Sequence, residues 1–443
     1  MTYEPTRPRH AAQGAARKPA RAGVPVAVAA IVAIVLIVGS FVGGWLAHAA
    51  FGDWPAAPSP GGTPSDAATP SVTPTPTPTP PGSPTPTPAP FVMQSPLPTS
   101  SWKTRLTNGP WPTSHVQGIA VDQEKGFVYY SFTTLLVKTT LDGKVVGSVS
   151  GFTGHLGDLA FNPNDKRVYG SLEYKDANAF YIAVFDVDKI TRTGINGQNS
   201  DVVSAVYLPE VVKDFSADLD GDGRFAGDTP DTKDHRYGCS GIDGTAIGPA
   251  FGSVDGKPYL TVAYGIYKNN SRNDNDYQVL LQYDLTDWGE YELPLVEGKP
   301  HRQGPKAPDG KYFVYTGNTD FGVQSLEYDP WDELWLLAAY PGSKPGFPNY
   351  TLFAVDADAR PTKQKLKGNG DESGLVLPLA DQGRQDKATG IRGWTRQAPF
   401  GIQALGPKLF YVASSTGKGG SSGSVLTLET WTGSADAPFK SVG

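Results

Sequence analysis

The sequence predicts an all-β protein built around a five-bladed β-propeller, and three observations carry that expectation. First, five short segments are variations on one theme: His115-Val-Gln-Gly-Ile-Ala-Val-Asp, His155-Leu-Gly-Asp-Leu-Ala-Phe-Asn, Gly241-Ile-Asp-Gly-Thr-Ala-Ile-Gly, Gly322-Val-Gln-Ser-Leu-Glu-Tyr-Asp and Gly401-Ile-Gln-Ala-Leu-Gly. Second, each is followed, after a turn, by a strand-like run: Gly126-Phe-Val-Tyr-Tyr, Arg167-Val-Tyr-Gly, Lys257-Pro-Tyr-Leu-Thr-Val, Glu333-Leu-Trp-Leu-Leu and Lys408-Leu-Phe-Tyr-Val. Repeats of this kind bury their faces against their neighbours. Third, the last unit lacks a fourth strand, and Trp102-Lys-Thr-Arg-Leu-Thr, ahead of the first repeat, is free to supply it. Closing a ring in this way removes exposed strand edges.

Each repeat reads as the innermost strand of a blade. The first blade then runs Gln117–Asp122, Gly126–Thr133, Leu135–Leu141 and Lys144–Ser150. The second runs Asp158–Asn162, Arg167–Tyr174, Phe180–Val187 and Val202–Leu208. The third runs Gly244–Gly248, Lys257–Tyr267, Tyr277–Leu285 and Glu292–Glu297. The fourth runs Gln324–Asp329, Glu333–Tyr340, Tyr350–Asp356 and Leu375–Leu379. The last has only Ile402–Leu405, Lys408–Ser414 and Ser424–Trp431. Uneven spacing of the units leaves six to eight blades, or a two-sheet sandwich, as alternatives.

Ahead of the propeller, expected over 101–443, come three other regions. Residues 1–21 carry Arg7, Arg9, Arg17, Lys18 and Arg21 against Glu4, and read as a basic cytoplasmic tail. Residues 22–51 contain no charged side chain and hold an apolar run long enough to cross a bilayer, with the basic flank predicting the N-terminus inside. The run exceeds the usual signal-peptide core, which favours an uncleaved anchor over cleavage after Ala49. Residues 52–100 are Pro/Thr-rich, without core-forming side chains, and read as a disordered, extended spacer. The chain as a whole carries −6 and is more acidic beyond its basic start, which argues against a nucleic-acid partner. A single cysteine, Cys239, excludes an internal disulfide.

The propeller reading gathers most long connections on one face: Val211–Gly238, Gly298–Gly317, Ala380–Phe400, Lys268–Asp276 and Pro341–Asn349. Two others, Asp188–Asp201 and Ala357–Gly374, fall opposite. Long loops on a rigid scaffold are where binding and catalysis concentrate.

Four constellations carry chemistry. Asp218-Leu-Asp220-Gly-Asp222-Gly-Arg224-Phe-Ala-Gly-Asp228 resembles the calcium loop of EF-hand and dockerin-type repeats. The resemblance implies Ca²⁺ held by Asp218, Asp220 and Asp222, the Arg224 carbonyl and a closing Asp228 or Asp231, because the twelfth position is Thr229 and not Glu. Superposing the repeats places Gln117, Gly157, Asp243, Gln324 and Gln403 in one register, an all-oxygen ring suited to Ca²⁺ in the channel or to ordered water. The architecture resembles five-bladed propellers of the apyrase type, which hold a channel calcium, although no nucleotidase motif is present. His115 and His155 share a repeat position, and His235 and His301 lie on loops of the same face, as metal ligands or proton-transfer groups. Tyr264, Tyr267, Tyr237, Phe321, Trp394 and Phe400 flank the expected mouth as candidate contacts for a sugar or planar ligand.

The resulting expectation is a single-pass membrane protein with an extracellular, calcium-binding propeller that binds an extracellular, glycan, cell-wall or small-molecule ligand. The alternative is a calcium-assisted hydrolase or lyase acting on a glycan or phosphoester. Asp158 and Asp243 would then be the acid/base pair, with His155 or His115 as proton shuttle.

Overall fold

A computed structural model of the protein describes residues 89–418 and 420–443. The basic tail, the apolar run and most of the Pro/Thr segment lie outside the described residues. No described helix is long and apolar enough to cross a membrane.

The five repeats form the innermost strands of five sheets, each antiparallel through its first three strands, and these inner strands contact one another in sequence, with the fifth returning to the first. The architecture is a five-bladed β-propeller. The inner strands are Val116–Asp122, His155–Asn162, Cys239–Gly248, Asp320–Asp329 and Ile402–Gly406. Their Gly, Ala and Ser content reflects crowding, since backbones meet near the axis and leave little room for side chains. The second strands, such as Phe127–Phe132 and Leu334–Tyr340, are rich in aromatic, Leu and Val side chains and are almost wholly buried.

Five apolar clusters hold the ring, one at each junction between adjacent blades. Tyr129, Leu136, Leu159 and Phe185 join blades one and two, and Tyr169, Ile182, Ile242 and Leu260 join two and three. Val314, Leu326 and Trp335 join three and four. Leu336, Phe410 and Trp431 join four and five, while Leu106, Tyr130 and Leu426 close five onto one. Fully burying each such side chain contributes ~1.5–3 kcal/mol. The repeats are therefore stable as a closed set.

Closure follows the expected device with a shifted boundary. Arg105–Trp111 pairs antiparallel with Ser421–Trp431 as the outer strand of blade five. Trp102 packs edge-on against Tyr411, whose hydroxyl donates to the Lys103 carbonyl at 2.8 Å.

The outer strands depart from the sequence expectation. Blade three takes its fourth strand from Gly310–Tyr315, joined in parallel by Ser373–Leu377. The segment expected in that place instead contributes Leu293–Pro294 to the edge of blade two. Blade four keeps three strands, and a bridge between Leu352 and Trp394 occupies its outer edge. Inner strands are specified by crowding at the axis. Outer strands are half exposed, so long connections can lend them to either neighbour.

Residues 91–97, expected to be spacer, lie on the propeller. Phe91 N–H donates to the Gly256 carbonyl, and Val92 N–H donates to Asn164 Oδ1. Gln94 donates to the Val121 carbonyl and accepts from Gln123 N–H. These partners sit at the far end of an inner strand or in the connections that follow the inner strands, so the segment crosses the end of the channel opposite the long loops.

Gly118 tests the axial packing. A methyl group there would fall 2.6 Å from Asp158 Cα and 2.7 Å from Leu159 N, against backbone that cannot move aside. We expect Gly118→Ala to destabilise the protein by ~1–3 kcal/mol or more, read as a fall in the denaturant midpoint. An unchanged midpoint would contradict this packing.

Candidate functional site at the channel mouth

The hairpin pairings give a common register for the inner strands. Ala120 pairs with Tyr129, Ala160 with Tyr169, Ala246 with Thr261, Glu327 with Leu336, and Gln403 with Tyr411. Counting back two residues gives Gly118, Asp158, Gly244, Ser325 and Gly401. Counting back three gives Gln117, Gly157, Asp243, Gln324 and Phe400. The ring expected from sequence is therefore corrected at its fifth member, where Phe400 and not Gln403 stands.

Three levels result. At the mouth, His115, Gln117, His155, Glu173, Lys175, Ser240, Asp243, Asp320, Phe321, Gln324 and Tyr340 line a cavity of about 570 Å³. Beneath it, Asp158 closes the axis. Its Oδ2 accepts from Leu326 N–H at 2.8 Å and Thr245 N–H at 3.2 Å, so one carboxylate ties blade two to blades three and four. Below that, Glu327 Oε1 accepts from Ala404 N–H at 2.7 Å and Gln403 Nε2 at 2.8 Å. Phe91, Met93 and Gln94 cap this end over a small cavity of about 50 Å³. The channel is thus a blind pocket open at the long-loop face.

Asp158, expected as a catalytic group or ligand, is 1 % exposed and does not line the mouth cavity. Its position is structural. Burial pushes its carboxyl well above the usual range; the N–H groups of Leu326, Thr245 and Leu159 pull against that, and the charge of Asp243 reinforces it.

Asp243 does reach the cavity. Its Oδ2 accepts from Gln324 Nε2 at 2.7 Å, and its Oδ1 lies 4.0 Å from His155 Nδ1. Burial raises its pKa, His155 and Lys175 lower it, the charge of Glu173 raises it, and the net direction is up. Gln324 and Gln117 both donate through Nε2, the latter to Thr133 Oγ1 at 3.1 Å. This arrangement is a hydrogen-bond network and does not fit an all-oxygen calcium cage.

Glu173 and Lys175, at the end of the second strand of blade two, were not found from sequence. Glu173 Oε1 accepts from Ile242 N–H at 2.6 Å, and its Oε2 lies 3.4 Å from His155 Nδ1. Lys175 Nζ stands 3.9 Å from Glu173 and 3.6 Å from Asp228. Burial depresses its pKa, but Glu173, Tyr267, Asp228 and Asp243 outweigh that and keep the ammonium charged. The available signal was Glu173-Tyr-Lys175, a charged pair ending an otherwise uncharged strand interior.

The remaining candidates disperse. His115 lines the cavity, with Nδ1 3.0 Å from the Val116 carbonyl and its ring edge-on to Phe400. His235 is fully buried between Phe215 and Tyr267, with Nδ1 2.6 Å from the Phe215 carbonyl. His301 packs against Tyr181 and is not among the cavity residues. Tyr264 is buried and donates to Asp214 Oδ2 at 2.8 Å, and Trp394 is buried with its indole N–H on the Ser434 carbonyl, so both are core residues. Tyr267 packs beside Phe321 but donates its hydroxyl to Asp228 Oδ1 at 2.5 Å.

In the acidic loop, carboxylate oxygens of Asp218, Asp220 and Asp222 lie within 4.8 Å of one another, all three side chains exposed. Asp234, buried beneath, accepts from Leu219 N–H and Ala226 N–H and holds the loop. Asp228 turns away to Tyr267 and Lys175, so it does not close the shell. The three oxygen donors fit part of a hard-cation shell, with the Arg224 carbonyl and water left to complete it.

A pH test separates the structural acid from its neighbours. A carboxyl whose folded pKa is raised favours folding when protonated, and that contribution falls as pH rises from about 4 through the folded pKa. Asp158→Asn carries no such charge. The stability of the variant relative to wild type should therefore rise as pH increases above about 4, in paired denaturation curves. A difference independent of pH would contradict a raised Asp158.

No protein-family model matches the sequence, and no curated protein matches it. Among solved structures, the chain is similar to the soluble aldose sugar dehydrogenase of Escherichia coli in its apo form, at 13 % identity and a TM-score of 0.33, over 73 % of this chain and 99 % of that one. It is similar at 10 % identity and a TM-score of 0.32 to the PQQ domain of a pyranose dehydrogenase from Coprinopsis cinerea in its holo form, over 70 % and 81 %. A third is the Dos1 propeller, at 12 % identity and a TM-score of 0.30, over 74 % and 70 %.

Proposed function

We propose that the protein is a membrane-anchored extracellular receptor whose propeller takes a polyhydroxylated ligand, a sugar unit of the cell envelope, into the channel mouth. One observation carries the reading. The blind cavity combines an aromatic wall, Phe321 and Tyr340, with hydroxyl-binding groups, Asp243, Gln117, Gln324, Ser240 and Lys175. Aromatic faces cover the carbon side of a sugar ring, and carboxylates and amides bind its hydroxyls. Phe321 is 44 % exposed and held at φ +60°, a conformation that L side chains rarely adopt.

The second reading, a hydrolase or lyase, is favoured by Asp243 and His155 sharing one wall. A buried carboxyl whose pKa is pushed up to about 7 is suited to proton transfer beside an imidazole. The binding reading predicts that Phe321→Ala and Asp243→Asn each weaken a sugar fragment selected from a cell-envelope glycan panel by at least ~10-fold in calorimetry, a loss of ~1.4 kcal/mol. Unchanged affinity in both would refute it, and turnover of the fragment would move the assignment to the second reading.

Calcium at the Asp218–Asp220–Asp222 loop belongs to the same proposal, as a local brace. Extracellular calcium modules bind at ~10⁻⁴–10⁻³ M. Millimolar Ca²⁺ should raise the melting temperature, and Asp220→Asn should abolish the rise. No rise with wild type would remove calcium from the reading.

The anchor rests on the uncharged run at 22–51 and its basic flank. The chain should stay with membranes through an alkaline carbonate wash, while external protease removes the propeller from intact cells. Release by the wash would contradict an anchor.

A further inference from the structure

His115 and His155 occupy the same place in adjacent blades, yet they are backed differently. His115 Nδ1 faces a neutral group, the carbonyl of Val116 on its own strand, at 3.0 Å. His155 Nδ1 faces the Glu173 carboxylate at 3.4 Å. That carboxylate is not free to wander, because its other oxygen takes Ile242 N–H at 2.6 Å and the side chain is 6 % exposed. Room for it comes from Gly241, at φ +124°, where a methyl group would coincide with the Glu173 carboxylate. The neighbouring blade thus leaves out a side chain so that Glu173 can stand behind the imidazole. The His155 ring is 30 % exposed and lines the cavity.

We propose that Glu173 is a positioning residue that holds the proton on His155 Nδ1, so that Nε2 faces the cavity as the group that exchanges a proton with a ligand hydroxyl. The inference rests on the cavity being the ligand site and deepens its acid–base reading. In the forward step the ligand O–H bond breaks, its electron pair stays on oxygen, and the proton forms a bond to Nε2. The imidazolium so made keeps its Nδ1–H against the Glu173 carboxylate. The Lys175 ammonium stands close to Glu173 and offers the charge needed beside a developing oxyanion. A carboxylate on one ring nitrogen fixes the tautomer and raises the basicity of the other.

The groups facing His155 come from two blades: Glu173 and Lys175 from its own, and Asp243 from the next. Burial lowers its pKa, Glu173 and Asp243 raise it, Lys175 lowers it, and the net direction is up. The contribution to stability is then present below the unfolded histidine pKa and lost as pH rises through the folded one.

The test needs no ligand. The full chain in detergent, labelled with ¹⁵N-histidine, is titrated by long-range ¹H–¹⁵N correlation. Histidine-to-Gln variants at 115 and 155 (His115→Gln, His155→Gln) assign the two resonances. His155 should show the Nδ1–H tautomer and a midpoint above that of a histidine in an unfolded peptide. Glu173→Gln keeps an acceptor for Ile242 N–H and should weaken the proton affinity of His155 at least ~10-fold, one pH unit, with His115 unmoved. An Nε2–H tautomer at His155, or a midpoint indifferent to Glu173→Gln, overturns the proposal. Should that variant fail to fold, diethyl pyrocarbonate labelling of the wild-type chain decides, since the pH midpoint of modification at His155 must lie above that of a histidine in an unfolded peptide, and a midpoint at or below it overturns the proposal. Absence of sugar binding with the dyad intact would refute the receptor reading alone.

Discussion

The carboxylate of Asp158 is the constraint on which the rest of the channel depends. It sits on the propeller axis, where five strands converge, and it gathers backbone N–H groups from two other blades. A buried carboxyl of this kind is costly unless its oxygens are hydrogen-bonded, and removing its partners would leave it unsatisfied. The other blades yield to it: Gly118, Gly244 and Gly401 carry no side chain at this level and Ser325 carries a small one. Serine latches run around the same level, with Ser131 donating to the Gly157 carbonyl and Ser171 to the Asp243 carbonyl, both at 2.6 Å. The ring is therefore pinned by polar contacts at its narrowest point and by apolar clusters farther out.

This pin also makes the pocket. With Asp158 across the axis and residues 91–97 over the far end, the channel has one open side, and everything able to meet a ligand lies above Asp158. Two acids adjacent in rank then diverge by environment. Asp158 has backbone donors from two blades and no access to the cavity. Asp243 has one amide donor, an oxygen near an imidazole and a place in the cavity wall. The same residue type is a strut in one blade and a candidate proton carrier in the next.

Much of the fold was legible because its signal is local. Small residues at the axis and aromatic or branched residues behind them recur five times, and that pattern gave the number of blades. Gln403 was misplaced because the segments were superposed on the Gly-Ile pair shared by blades three and five. Blade five carries a register shift near Leu405, and the pairing that survives it matches Gly401-Ile402 to Gly118-Ile119. Tyr264 and Trp394 were read as mouth residues from their neighbours in sequence, but Tyr264 lies on the buried face of its strand and Trp394 is buried against the outer edge of blade four. Outer-strand exchange had no sequence signal at all, since pairing between edge strands depends on how long loops lie.

Glu173 escaped for a different reason. A repeat alignment weighs what recurs, and a site is made where one blade departs from the others. Gly241 stands where blades one and two place His115 and His155, and by itself it is only another glycine. Its meaning appears when the preceding blade supplies a carboxylate to fill the space. Function in such a ring is therefore written between blades: the vacancy belongs to one repeat, the occupant to another, and the imidazole they orient to the cavity. A five-fold scaffold gains chemistry by breaking its symmetry at one junction, and the junction of blades two and three is where this chain breaks it most.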